Sequence, residues 1–237
     1  MVCILLNKDD QPGLWLSRLL LQTGRQDIKL ISAEELMYAP SFSCGFKNGK
    51  AFFDITLPNG TVFNNDTVSK VINRIHYLPL QHLSQFRQED RLYVEAELIA
   101  TFTFLFSILP GNIFNETTGM GFCGRRRSQL EWRLLAHQAG FEKTELLYQN
   151  KELYNEPVFT KGEIKSILFF DNKCYSSKEK CSASEKCCML LGQLSGEKIL
   201  EIYFTTADNK LFFVEAKTSP SFHNIGIDFI TDLNNQL

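Results

Sequence analysis

The sequence has no clear excess of charge of either sign. Its 25 Lys and Arg residues nearly balance its 27 Asp and Glu residues, and the formal net charge over 237 residues is −2. Proteins that bind nucleic acid or anionic membranes through charge usually have a surplus of Lys and Arg. We therefore expect neither nucleic acid nor a membrane among the partners.

The sequence also lacks a long hydrophobic run. The longest, LIATFTFLFSIL at 98–109, is too short to span a bilayer. The opening MVCILLNKDDQPG has no basic region, and its apolar run is too short for a signal peptide. We therefore expect a cytoplasmic protein whose seven cysteines are reduced thiols.

A catalytic triad pattern and the P-loop motif are missing as well. The four histidines are scattered, and none accompanies a cysteine or serine in a triad pattern. The pattern G-x-x-x-x-G-K-[ST] does not occur, so the chain has no phosphate loop of this type.

Four cysteines are concentrated in the segment CYSSKEKCSASEKCC. They are Cys174, Cys181, Cys187 and Cys188. Their spacing does not match the C-x2-4-C pairs of zinc sites, and no histidine is nearby. We favour a polar loop with incidental thiols, and the alternative is a segment that carries a metal or a reactive thiol.

The order of the predicted elements indicates an α/β fold. Apolar patterns and turn residues predict strands at 2–6, 27–32, 69–75, 111–115 and 143–149, helices in LWLSRLLLQTG, at 86–109 and in RRRSQLEWRLLAHQAG, and a hairpin in KAFFDITLPNGTVF. Strands that alternate with helices favour a mainly parallel sheet within residues 1–150.

The character of the sequence changes after Asn150. The polar segment KELYNEPVFTKGE contains Pro157 and is typical of a linker. Beyond it, IKSILFFDNKCYS and KILEIYFTTADNKLFFVEAK predict two hairpins, and a final helix is predicted at about 225–236. We therefore predict two subdomains, at 1–150 and 151–237, of which the second is a smaller α+β unit.

Three stretches in this order resemble one known family. They are DTVSKVINRIHYLP, the long segment from EAELIATFTFLFSILPGNIFN to AHQAGFEKTELL, and LEIYFTTADNKLFFVEAKTSPSF. They are similar to the x-(N/Y)-R strand, the helix–strand–helix region and the metal-binding hairpin of ATP-grasp carboxylate–amine ligases. The subgroup is the one that modifies ribosomal proteins and microviridin-type peptides. The resemblance implies a Rossmann-like pre-ATP-grasp subdomain followed by a part of the ATP-grasp C-terminal core.

The chain also departs from the family pattern. In the family, a central subdomain with phosphate-holding lysines, a glycine-rich flap and an adenine-binding segment lies between the second and third stretches. About fifteen residues separate TELLYQ from IKSILFF here, whereas a separate domain usually needs about 50 or more. We therefore expect a reduced form without this subdomain and without bound ATP or magnesium.

The terminal hairpin also predicts the loss of magnesium binding. The resemblance places Glu201 and Glu215 at the two acidic magnesium ligands, but Lys217 stands where the family has Asn. A lysine ammonium donates hydrogen bonds and cannot ligate magnesium, which prefers oxygen. We favour an ion pair of Lys217 with Glu215 or Glu201. The alternatives are surviving metal binding by the glutamates and a catalytic base at Lys217, which would require burial.

Two further groups are candidates for ligand binding. Asn73 and Arg74 end a predicted parallel strand, where crevices form in α/β sheets. Arg125, Arg126 and Arg127 precede a helix, whose free N–H groups attract anions. The alternatives are an arginine bonded to backbone carbonyls or to Glu142, and a solvated basic surface.

These features lead to two hypotheses for function. The first is a non-catalytic, ATP-grasp-like protein that binds a peptide or protein partner, such as a full-length ATP-grasp or other modifying enzyme. The resemblance also implies a homodimer as a possible assembly. The second is an enzyme of altered, ligase-like chemistry that acts on an anionic substrate through Glu201, Glu215, Lys217 and nearby arginines.

Overall fold

A computed structural model describes residues 1–109, 113–118, 121–143, 147–149, 152–154, 163–176, 182–222 and 225–237. The chain divides into unit 1, which comprises Met1–Arg126 and Leu233–Leu237, and unit 2, which comprises Arg127–Asp232. Within these described residues, no helix combines the length and the apolar character needed to cross a membrane.

Unit 1 combines a parallel sheet with a separate antiparallel sheet. Its elements in chain order are β1 (Val2–Leu6), α1 (Gln11–Gln22), β2 (Ile28–Ser32), α2 (Ala33–Met37), β3 (Ser41–Lys47), β4 (Lys50–Thr56), β5 (Val62–Asn64), β6 (Lys70–Arg74), a 3₁₀ helix (Leu80–Gln85), α3 (Gln88–Ser107) and β7 (Ile113–Phe114).

The parallel sheet has the strand order β2-β1-β6-β7. All five residues of β1 are buried, as is typical of a central parallel strand. The side chain of Asp10 accepts a hydrogen bond from the Gly13 backbone N–H and so caps α1. The parallel sheet predicted from the alternating pattern is confirmed.

The antiparallel sheet has the order β3-β4-β5 and packs against α3. The hairpin between β4 and β5 was predicted from Pro58-Asn59-Gly60, and it is confirmed, with Gly60 at a φ of +81°. The ring centroids of Phe42 on β3 and Phe102 on α3 lie 5.8 Å apart. Neither β3 nor α2 was predicted.

Unit 2 is built on an antiparallel sheet of order β11-β10-β12-β13. Its elements are α4 (Gln129–Gln138), β8 (Leu147–Gln149), β9 (Glu152–Tyr154), β10 (Lys165–Phe170), β11 (Lys173–Tyr175), α5 (Ser182–Ser195), β12 (Ile199–Ala207), β13 (Lys210–Lys217) and most of α6 (Ile227–Gln236). Both predicted hairpins are confirmed. Each turns through an Asp-Asn pair with positive φ at both residues, as type I′ turns require.

The polar loop predicted for the cysteine segment is wrong for residues 182–188. These residues form the first half of α5, while residues 177–181, and Cys181 with them, lie outside the described part of the chain. Ser184, Cys188 and Leu191 recur at helical spacing and are buried. Packing of this buried stripe stabilises α5, although the segment is polar in composition.

Two boundaries differ from those expected. The strand predicted to close the N-terminal half is β8, but it pairs with β9 and not with the parallel sheet. The predicted division at residue 150 lies beyond the observed division at Arg126, because α4 packs in unit 2. There Trp132 and Ala136 share a core with Leu191 and Phe213.

Candidate functional site

The hairpin of β12 and β13 brings together the three residues predicted for the lost magnesium site. Glu201 lies opposite Lys217 in the strand register, and Tyr203 lies opposite Glu215. Residues two apart on a strand face the same side, so all four side chains share one face of the hairpin. Glu201 is only 1% exposed, whereas the Glu215 and Lys217 side chains are each 45% exposed.

The Glu201 carboxylate is held by the turn that follows β13. It accepts hydrogen bonds from the Ser221 backbone N–H at 2.7 Å and from the Ser221 hydroxyl at 3.0 Å. Tyr203 Oη lies 3.2 Å from the same hydroxyl. Burial, together with the neighbouring Glu201, raises the pKa of Tyr203 to about 12. These partners were not predicted, and the one signal for them in the sequence is the Ser-Pro-Ser turn, which supplies hydroxyl groups directly after β13.

Lys217 occupies the remaining part of this face as a cation. Its Nζ lies 3.3 Å from Glu215 Oε2 and 5.0 Å from the centroid of the Tyr203 ring. Carboxylate and aromatic face together stabilise the ammonium group. Of the two carboxylates proposed as partners for Lys217, Glu215 is the one that forms the ion pair.

Asn73 and Arg74 lie at the end of β6, where the sequence predicted them, but both are almost fully buried. Asn73 Nδ2 donates to the backbone carbonyls of Asn115 and Phe122. Arg74 forms a bidentate pair with Asp10, with Nε–Oδ2 at 2.6 Å and a second N–O distance of 2.9 Å. Asp10, not Glu142, is therefore the carboxylate of this pair. A role of Asn73 and Arg74 in ligand binding stays a prediction.

The three consecutive arginines have different environments. Arg125 and Arg126 are exposed. Arg127 forms an ion pair with Glu197 at 3.2 Å, donates to the Ser195 carbonyl and lies 4.9 Å from the Trp132 ring centroid. Its guanidinium is thus bound to neighbours within unit 2. Binding of an anion by this group stays a prediction.

The start of α4, which was expected to attract an anion, is closed by a capping box. The Ser128 hydroxyl accepts from the Glu131 N–H, and the Glu131 carboxylate accepts from the Ser128 N–H. Two of the backbone donors at this helix end are therefore satisfied from within the helix.

The described cysteines of unit 2 belong to its apolar core. Cys188 is fully buried, and Cys174 and Cys187 pack against the same core. Burial raises the pKa of Cys174 to about 12 and also raises the pKa of Cys187 and Cys188. Thiols with raised pKa values are poor metal ligands and weak nucleophiles. Among the described residues, no three Cys, His, Asp or Glu side chains form a group that could hold a metal.

A cavity of about 370 Å³ lies in unit 2 beside β11, α5 and α6. Asp232 at its wall accepts hydrogen bonds from Lys173 Nζ at 2.8 Å and Tyr175 Oη at 2.6 Å. These two bonds lower the pKa of Asp232. Among the described residues, Cys174 is the one predicted site residue that lines this cavity.

Comparison with known proteins identifies the fold. No protein-family model and no curated protein sequence matches the chain. A RiPP-associated ATP-grasp ligase from Chryseobacterium gregarium, solved with ADP and a leader and core peptide, is 11% identical and superposes with a TM-score of 0.67 over 93% of this chain and 90% of its own. The macrocyclase MdnC from Microcystis aeruginosa MRC, bound to the precursor peptide MdnA, is 12% identical with a TM-score of 0.68 over 93% and 92% of the two chains.

A third solved structure gives the same result. The ATP-grasp ligase PsnB, in complex with a phosphomimetic variant of its minimal precursor, Mg and ADP, is 11% identical with a TM-score of 0.72 over 99% of this chain and 96% of its own. The resemblance expected from the three sequence stretches is confirmed by these superpositions. The chain therefore has the mixed α/β fold of the RiPP-associated ATP-grasp ligases.

Proposed function

We propose that this chain is a non-catalytic protein with the ATP-grasp fold that binds a peptide or protein partner in a peptide-modification pathway. The structures of similar fold include ligases solved with leader, core or precursor peptides. A peptide substrate of such a pathway is the partner that this likeness supports, and we propose a full-length ATP-grasp or other modifying enzyme as the alternative partner.

The observation that carries the non-catalytic assignment is the occupied face of the β12–β13 hairpin. Lys217 pairs with Glu215, and Glu201 is bonded to Ser221. Two like unit charges about 4 Å apart repel by about 4 kcal/mol at an effective dielectric constant near 20, and a divalent cation doubles this value. This repulsion would offset part of the attraction of a magnesium ion to the two carboxylates, and the ion would also compete with the Ser221 hydrogen bonds.

The connection between α4 and β10 supports the same proposal. Residues 139–164 span it, and the strands in their described part are the two three-residue strands β8 and β9. We propose that the chain lacks the segment that holds ATP in the family, and that ATP and magnesium binding are lost with it. The superpositions, which extend over 90–96% of the neighbours' chains, do not themselves support this shortening. It is proposed from the length of the connection alone.

Calorimetric titration with ATP and magnesium, and separately with ADP, tests the loss of nucleotide binding. We expect no binding heat and no thermal shift with the wild-type protein. Micromolar binding of either nucleotide would overturn the non-catalytic assignment.

Titration with magnesium alone tests the role of the lysine. Lys217→Asn removes the cation and supplies an amide oxygen, so this variant should bind magnesium more tightly than the wild type does. Lys210→Asn, which changes an exposed lysine at the other end of β13, is the matched control and should change nothing. Equal magnesium affinity of all three proteins would remove Lys217 as the cause of the loss.

Peptide binding is tested separately by selection from a displayed library of random peptides. We expect enrichment of a sequence whose synthetic peptide binds the purified chain in calorimetry. Failure to enrich any binder, with the chain folded by circular dichroism, would count against peptide recognition without affecting the result on nucleotides.

A further inference from the structure

β3 in unit 1 is a long edge strand. Within the described residues, β4 is the one strand that pairs with it, over the whole of Ser41–Lys47. An edge strand presents backbone N–H and C=O groups that can pair with another chain, and most proteins protect such edges with proline, charged residues or bulges. β3 has none of these before its last residue: Ser41–Phe46 contains neither proline nor a charged residue, and the register with β4 is unbroken.

The other sheet edges in the described residues are shorter or covered. β2 has five residues, and the edge strands β5, β7 and β11 have two or three each. β13 is longer, but the Glu142 backbone N–H donates to the Leu211 carbonyl at 2.8 Å and bridges this strand to another segment. β3 has seven residues and no such bridge within the described part of the chain.

The turn between β3 and β4 determines which groups of β3 face the open edge. The two-residue turn at 48–49 has positive φ at both residues, so the lysines that flank it form a hydrogen-bonded pair. Because such pairs alternate with non-hydrogen-bonded pairs, Phe42, Cys44 and Phe46 direct their N–H and C=O groups away from β4. Phe53, opposite Cys44, follows the same alternation, since its N–H donates away from β3 to Asn65 Oδ1. No described residue hydrogen-bonds to the outward groups of β3.

The side chains near this edge add an apolar surface and a basic end. Phe42 packs on Phe102 of α3, and Phe46, which is 68% exposed, has its ring centroid 5.7 Å from that of Phe104. Both phenylalanines of β3 thus lie on the side of the sheet that faces α3. Lys47 is exposed at the end of the strand. A strand added at this edge places every second side chain on the side of these rings and one end beside Lys47.

We propose that β3 binds an extended peptide segment as an additional, antiparallel strand of the β3-β4-β5 sheet. The open N–H and C=O groups need a partner with free backbone groups at the same spacing, which an extended chain has and a helix lacks. Peptide residues opposite Phe42, Cys44 and Phe46 face α3 and are apolar, those between them are polar, and an acidic residue pairs with Lys47. This inference rests on the peptide binding proposed above, to which it adds a site and a sequence pattern.

A synthetic heptapeptide with this pattern tests the proposal directly. Read antiparallel to β3, its sequence is Glu-Val-Thr-Val-Thr-Val-Thr, with Glu opposite Lys47 and the valines opposite the three residues that face the open edge. Methylation of the threonine nitrogens prevents self-association of the peptide and leaves intact the valine N–H groups that bond to β3. Methylation of the valine nitrogens instead removes those donors and gives the matched control.

Fluorescence anisotropy of both labelled peptides measures binding to the wild-type chain. The threonine-methylated peptide should bind with a Kd below about 1 mM. The valine-methylated peptide should bind at least about tenfold more weakly, because its hydrogen bonds to β3 are lost.

Variants of the chain test the position of the peptide. Cys44→Pro removes one outward N–H but leaves the hydrogen bonds to β4, so it should weaken binding of the threonine-methylated peptide by at least about fivefold. Cys44→Val keeps this N–H and should bind as the wild type does. Lys47→Glu should weaken binding by about two- to fivefold, and a peptide that begins with Lys in place of Glu should restore it. Circular dichroism and urea unfolding of each variant verify the fold.

Three results would overturn the proposal. They are no binding of the threonine-methylated peptide up to about 1 mM, equal binding of the two methylated peptides, and binding that weakens as the chain concentration rises, which would show that a second copy occupies β3. A library-selected peptide that binds the wild type and Cys44→Pro equally would also remove β3 as the site, but it would leave the proposed peptide recognition intact.

Discussion

Replacement of Arg127 by alanine should destabilise unit 2 strongly, because this arginine serves the structure of the unit. The side chains of Arg127 and Glu197 are each 8% exposed and form an ion pair at 3.2 Å. Removal of one partner from a buried pair costs about 3–5 kcal/mol, since the other charge remains buried. The contact with the Trp132 ring, worth about 0.5–2 kcal/mol, is lost in the same substitution, and we include it in this range.

We therefore expect Arg127→Ala to lower the free energy of unfolding by about 3–5 kcal/mol. For chains of about 150–250 residues, each kcal/mol lowers Tm by about 2–4 °C, so the expected shift is about 6–20 °C. Urea and thermal unfolding, followed by circular dichroism, measure both quantities. Arg126→Ala is the matched control, and as an exposed substitution it should remain within about 0.5 kcal/mol of wild type.

A double-mutant cycle with Glu197→Ala identifies the cause. If the ion pair dominates, the double variant should be destabilised by clearly less than the sum of the two single variants. An Arg127→Ala protein as stable as Arg126→Ala would refute the structural role. Arg127 would then return to consideration as an anion-binding residue.

Three further predictions concern the core, the buried pair and pH. Gly192→Ala should lose about 1–3 kcal/mol of stability in urea unfolding, because its Cβ would lie 2.3 Å from the Phe169 ring. Gly226→Ala is the control and should leave stability unchanged, because its Cβ would meet nothing within 4 Å. Arg74→Met should cost about 3–5 kcal/mol, because its carboxylate partner stays buried without the guanidinium, and equal stability in urea would contradict this. Burial raises the pKa of Tyr203 to about 12, whereas an unfolded tyrosine ionises near pH 10, so the stability of the folded chain should fall as pH rises from about 10 to 12. In an alkaline absorbance titration, Tyr203→Phe should remove one late tyrosinate step.

The sequence was informative wherever a local rule determines the backbone. The pairs Asp171-Asn172 and Asp208-Asn209 marked turns that require positive φ, and both hairpins form there. The run VCILL marked a central strand because no polar residue interrupts it. In each case, adjacent residues contain the physical cause.

Prediction failed where distant residues decide the outcome. The cysteine segment reads as a polar loop because Cys188 becomes part of a helix stripe only after α5 packs on the core of unit 2. The partner of Arg127 lies 70 residues away, and the partner of Arg74 lies 64 residues away. No spacing rule links such positions, so ligand binding was predicted from the position of Arg74 at a strand end and of Arg127 before a helix.

The candidate magnesium site lies between these two cases. The hairpin was predictable from its Asp-Asn turn, but the register that places Glu201 opposite Lys217 was not, because an irregularity between Tyr203 and Phe204 shifts the pairing by one residue. The capture of Glu201 by Ser221 was not predictable either, because it depends on how the chain turns back after β13.

Unit 1 is discontinuous along the chain, and this affects how it can be made. Leu233–Leu237 belong to it, and Arg25 donates a hydrogen bond to Asn234 across 209 positions. During synthesis, the first 126 residues leave the ribosome long before this segment exists. The contacts of Leu233–Leu237 with the rest of unit 1 therefore cannot form until all of unit 2 has been translated. Contacts between residues so far apart in sequence also form slowly.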